Sequence, residues 1–237
     1  MKATTQRLTV SAVMLALATI LAVVCAFIPF LNLPFGGGFT IASMLPVVLV
    51  AYLYGTKWGL FTAFTYAIIQ IIMDLMTGAD SVVKGLFTPT SDSFQGIAIG
   101  FAIILIDYFI AYTVLGLGGL FRRRIKNQTL GLCLGVVVAL SLRYVAHIVS
   151  GAIFYGEWAE WFFSQEGFYA IGSSLLNTFS GKGLALVYSI FYNGLYMIPE
   201  IIITTIVAVP VSRIPLLREL QWNPQTNQSK DKPQDNA

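Results

Sequence analysis

Charge is scarce in this chain. Only 11% of its 237 residues are Asp, Glu, Lys or Arg, against about 25% in an ordinary soluble domain. That excludes a conventional water-exposed surface. Cysteine occurs twice, as Cys25 and Cys133, and histidine once, as His147. Both cysteines lie within apolar runs, with neither metal-ligand spacing nor a disulfide framework. No G-x-x-x-x-G-K-[ST] loop is present, so the chain lacks that cradle for a nucleotide. Nucleophile–base pairs and metal clusters are also missing, which argues against a membrane enzyme. No internal repeat is visible, which weighs against many secondary-transporter architectures. The net charge of +3 is no nucleic-acid signal, because the basic residues sit between apolar runs.

What is abundant is hydrophobicity. It accounts for 57% of the residues, with a mean hydropathy of +0.76. The pattern implies an all-α integral membrane protein. Helices are expected at about 8–31, 40–55, 58–77, 96–120, 129–154 and 185–210. The second is short for a full span and needs tilting, irregularity or shielding by its neighbours. Lys2 and Arg7 precede an apolar run that continues to about Phe30. This is too long for a signal-peptide core and reads as a first span. Residues 1–222 form one expected membrane domain, and the polar stretch 223–237 an expected disordered tail.

The basic residues set the expected orientation. Lys2, Arg7, Lys57, Arg122, Arg123, Arg124, Lys126, Arg213, Arg218, Lys230 and Lys232 fall on one side of the six spans. Only Lys84 and Lys182 fall on the other, with Arg143 inside a span. By the positive-inside rule both termini are cytoplasmic and the two long loops face outward.

Ionisable groups within spans are costly and tend to face the protein interior or a water-filled cavity. Here they are Asp74, Asp107, Arg143, His147 and Glu200. Arg143, His147, Gly151 and Tyr155 recur every four residues and share one helical face. His147 lies about 12 Å below the outer end of its helix, Asp107 about 16 Å and Asn193 about 12 Å, at 1.5 Å per residue. Similar depth on three helices suggests one outward-facing pocket. Plainer roles compete with this reading. A membrane histidine can serve only as an interhelical hydrogen-bonding group. Arg143 can be a counter-charge for Asp107 or Glu200, and Asp74 can be merely interfacial. Trp158 and Trp161 fit interface anchors.

Four stretches carry a family resemblance: "ASMLPVVLVAYLYGTKWGLFTAFTYAIIQ" (42–70), "ILIDYFIAYTVLGLGGLFR" (104–122), "LRYVAHIVSGAIFYGEWA" (142–159) and "VYSIFYNGLYMIPE" (187–200). Together they resemble the thiamine-binding S-components of energy-coupling-factor vitamin transporters, in order over most of residues 8–210. The resemblance implies a six-helix subunit of the bacterial cell membrane that captures thiamine outside the cell. It further implies docking on a transmembrane coupling subunit with two cytoplasmic ATPases, and no catalytic activity or cofactor of its own. The family's acidic–tyrosine pair falls on Asp107 and Tyr108, its histidine on His147 and its close-contact glycine on Gly151. Tyr155 stands where some members have tryptophan, and the tyrosine and asparagine of the last helix fall on Tyr188 and Asn193. Phe39, with Phe35, is the nearest match to a first-loop aromatic. Tyr188 and Asn193 are five residues apart, about 140° on a regular helix, so Tyr188 is expected to enter from a frayed or bent helix end. The Ala12-x-x-x-Ala16 face of the first helix matches the family's docking motif for the coupling subunit, though small residues are common in membrane helices.

Three functions remain open on the sequence alone. They are a thiamine-capture subunit, a capture subunit for another vitamin or a thiamine precursor, and a stand-alone proton-coupled transporter relaying protons through Asp107, Arg143, His147 and Glu200.

Overall fold

In a computed structural model, residues 2–31, 38–77, 81–215 and 217 are described. All the regular structure among them is helical. The long elements are α1 (Lys2–Ala26), α2 (Leu45–Tyr54), α3 (Thr56–Met76), α5 (Ile97–Phe121), α6 (Gln128–Phe154) and α9 (Gly181–Ser212). Shorter helices α4 (Val82–Phe87), α7 (Ala159–Phe163) and α8 (Tyr169–Thr178) lie in the connections. Five of these helices are long and apolar enough to cross a membrane; α2 is not. Phe35 and the 223–237 tail lie outside the described residues.

At ten residues, α2 covers only about 15 Å, and every one of its side chains is buried. It sits among α1, α3, α5 and α6. The shielding expected of a short apolar helix is therefore complete. The helix starts five residues later than hydropathy suggests, because residues 38–44 run in irregular backbone. Non-helical backbone at depth needs partners for its N–H groups. Glu200 of α9 supplies them: its Oε2 accepts from both the Thr40 backbone N–H at 2.5 Å and Thr40 Oγ1 at 2.8 Å.

The remaining packing relies on small residues. A Cβ on Gly116 of α5 would sit 2.4 Å from the Leu60 backbone nitrogen of α3, so only glycine permits this approach. Along the α6–α9 seam, Thr129 and Ser212 share a hydrogen bond at 2.7 Å and Cys133 Sγ contacts the Thr205 carbonyl at 3.9 Å. Close helix approach through Gly, Ser and Thr is the usual membrane solution, since lipid leaves little hydrophobic drive between helices.

α5 changes pitch along its length. It begins as an α-helix, passes through a π-helical turn at Leu105–Ile110, and ends as a 3₁₀ helix from Val114 to Phe121. The wide turn holds Asp107 and Tyr108. Such turns often mark functional positions, and this one lets two adjacent side chains reach the same wall.

Candidate binding pocket

A cavity of about 190 Å³ lies between α5, α6 and α9 and is lined by Asp107, Tyr108, Tyr112, Arg143, His147, Gly151, Tyr155, Tyr188, Tyr192, Asn193 and Tyr196, with Gly38, Val82 and Ile103. A site for one water needs about 10–15 Å³ on this measure, so the space accommodates a small organic molecule. Its wall is dominated by tyrosine, with one carboxylate, one imidazole and one guanidinium.

The polar centre is a connected network. Asp107 Oδ1 is 2.8 Å from His147 Nδ1, and Asp107 Oδ2 accepts from Ser150 Oγ at 2.5 Å. With Nδ1 donating to the carboxylate, a neutral imidazole keeps Nε2 as an acceptor. That nitrogen has no partner among the described residues. Asn193 Nδ2 donates to the His147 carbonyl at 3.2 Å and to the Ser189 carbonyl at 2.9 Å, while its Oδ1 accepts from Tyr196 Oη at 2.5 Å. The amide is thus already engaged, leaving chiefly the second lone pair of Oδ1.

Gly151 lines the cavity, but the close approach there comes from α9: an added Cβ would lie 2.3 Å from Ser189 Oγ. Tyr188 is embedded in the regular part of α9, 2% exposed, with ring contacts to Phe162 at 5.3 Å and Tyr192 at 5.6 Å. This corrects the expected frayed end, since α9 begins seven residues earlier, at Gly181. Phe39 is half-buried against the apolar core and is not part of the lining; its neighbour Gly38 is. Arg143 pairs with neither Asp107 nor Glu200. Its Nη1 contacts Met44 Sδ at 2.6 Å, and its guanidinium stands 4.4 Å over the Tyr112 ring. Asp74 is a helix cap, accepting from Ser81 Oγ at 2.7 Å and the Val83 N–H at 2.9 Å to start α4.

Tyr112, Tyr192 and Tyr196 also line the cavity and Ser150 joins its hydrogen-bond network, beyond the residues that helical depth and family resemblance single out. The four-residue recurrence of Tyr188, Tyr192 and Tyr196 could have revealed part of this wall. The long fifth connection also contributes unexpectedly, because α7 buries Phe162 against Tyr192 and Phe163 against Phe191 of α9.

Residues 8–165 match the model of the thiamine transporter protein family (Thia_YuaJ). The chain belongs to that family. It is 30% identical over 211 residues to the thiamine transporter ThiT of Bacillus subtilis, covering 85% of this chain and 87% of that protein. A solved ThiT structure from Listeria monocytogenes matches with a TM-score of 0.52 at 18% identity, covering 87% of this chain and 97% of that one. This structural likeness concerns the fold. The family is one of transport proteins rather than enzymes.

Proposed function

We propose that this family member is the thiamine-capturing S-component of an energy-coupling-factor importer. The observation that carries the reading is the Asp107–His147 pair, set at 2.8 Å inside a tyrosine-lined cavity. Thiamine joins a cationic thiazolium to an aminopyrimidine. Asp107 offsets the positive charge and accepts from the exocyclic amine. His147 contributes its unpartnered Nε2, and Asn193 holds the His147 backbone in register. Tyr108, Tyr155 and Tyr188 offer ring faces, worth about 1–2 kcal/mol each toward a desolvated cation. Gly151 keeps α6 close enough to α9 for the wall to close, and Phe39, next in sequence to the cavity-lining Gly38, anchors the first loop on the apolar core.

In this reading the protein spans the bacterial cell membrane six times. α2 is the short sixth element, both termini are cytoplasmic, and the pocket opens outward. Ala12 and Ala16 are exposed on α1 and form the docking face for a transmembrane coupling subunit carrying two ATPases. The purified chain, titrated with a vitamin panel by intrinsic fluorescence, is expected to be quenched by thiamine. Binding of riboflavin or biotin without thiamine would sink the ligand assignment.

A further inference from the structure

A second concave site lies at the other end of the bundle, away from the tyrosine-lined cavity. It is an open cleft of about 490 Å³ where the α2–α3 turn meets the end of α5 and the start of α1. Five cationic side chains line it: Arg7, Lys57, Arg122, Arg123 and Arg124. Among the described residues that line it, none carries a carboxylate.

Three local features orient this charge toward an anion. α3 starts at the cleft. Its first turn has no acidic residue, and its N-cap, Gly55, offers no side chain to the helix N–H groups. A helix start of this kind attracts oxyanions through its aligned N–H dipoles. Arg122 leans over the same turn, with Nη1 3.7 Å from where a Gly55 Cβ would stand. Burial, with the neighbouring Arg123 charge, pushes the Arg122 guanidinium below its ordinary pKa. Tyr54 also lines the cleft; it is only 5% exposed, and its hydroxyl has no hydrogen-bond partner among the described residues. A buried hydroxyl left unpaired costs about 1–3 kcal/mol, which a ligand oxygen at that position would recover.

We propose that this cleft binds a phosphate group. A tetrahedral oxyanion can accept simultaneously from forked guanidinium groups, helix N–H groups and a phenol. The cleft sits at the polar end of apolar helices, so the group can be the phosphodiester of an anionic phospholipid or free phosphate. The inference does not depend on which molecule fills the tyrosine-lined cavity.

The test uses the full chain, purified in neutral detergent and stripped of lipid. Native mass spectrometry compares retained phosphatidylglycerol with phosphatidylcholine. Thermal unfolding is followed in parallel with inorganic phosphate, against chloride at equal ionic strength. Preferential retention of phosphatidylglycerol supports the site and assigns a lipid source. Stabilisation by inorganic phosphate beyond chloride supports it with a soluble source. In either case Arg122→Gln combined with Arg123→Gln should weaken the effect about tenfold, the loss expected for a charge-assisted hydrogen bond. Tyr54→Phe should weaken it measurably while raising the melting temperature without phosphate, because it removes the unpaired hydroxyl. Should the double variant unfold, Lys57→Gln with Arg124→Gln, both at exposed positions, replaces it. No selectivity over phosphatidylcholine and chloride, or variants that bind like the parent chain, would overturn the proposal.

Discussion

Asp107 and His147 are forty residues apart in sequence and on different helices, yet His147 Nδ1 lies 2.8 Å from Asp107 Oδ1. The contact depends on the π-helical turn that presents Asp107 and on the seam that holds α6 against α9. Replacing Asp107 by Asn keeps the size but removes the negative charge facing both the imidazole and a cationic ligand. A hydrogen bond to a charged group is worth about 1.5–3 kcal/mol, so thiamine affinity should fall roughly 10–100-fold. Fluorescence titration of the Asp107→Asn protein checks this, and an unchanged Kd would remove Asp107 from the site.

The seam itself can be challenged at Gly151. An alanine there places its Cβ 2.3 Å from Ser189 Oγ, and such overpacking typically costs about 1–3 kcal/mol. Gly151→Ala is therefore expected to lower the melting temperature. Adding Ser189→Ala removes the obstructing oxygen and should restore part of the loss. If the double variant is no more stable than Gly151→Ala alone, the clash is not the cause.

Much of this arrangement could be read from residue order. The six helical segments follow from apolar run length, and helical depth places Asp107, His147 and Asn193 near one level. Depth works because a membrane helix converts sequence number into distance almost linearly. What it cannot convey is pitch. The π-turn at Leu105–Ile110 and the 3₁₀ stretch after Val114 depend on tertiary packing, and their apolar residues suit a regular helix equally well. Nor does hydropathy distinguish a lipid-facing span from α2, whose buried environment exists only once four helices surround it. On the sequence, Arg143 is a candidate counter-charge for Asp107 or Glu200. In the structure a thioether and an aromatic face receive its guanidinium, and such partners leave no charge pattern in a sequence.

Glu200 offers a third test. It is 1% exposed and ties the irregular 38–44 segment to α9 through the Thr40 N–H and hydroxyl, with Thr204 Oγ1 donating to its other oxygen at 3.2 Å. Glu200→Ala leaves a backbone N–H without its acceptor, at a cost of about 1–3 kcal/mol. The melting temperature should drop. Because Gly38 belongs to the same segment and lines the cavity, thiamine should also dissociate faster. Glu200→Gln keeps one acceptor oxygen and should fall between the two. Stopped-flow release measured beside thermal unfolding separates the effects: a lower melting temperature with an unaltered off-rate would mean that the 38–44 segment does not shape the site.

Ala12 and Ala16 occupy exposed positions on α1, far in sequence from every residue of the polar network. If this face docks the coupling subunit, bulk added there should separate capture from transport. Leucine at both positions costs little on a surface already apolar, so Ala12→Leu/Ala16→Leu should bind thiamine with the parental Kd. Reconstituted with the coupling subunit and its ATPases, however, it should lose most ATP-driven uptake, because small-xxx-small faces work by letting helices approach closely. Uptake at the parental rate would show that the coupling module engages a different face of the bundle.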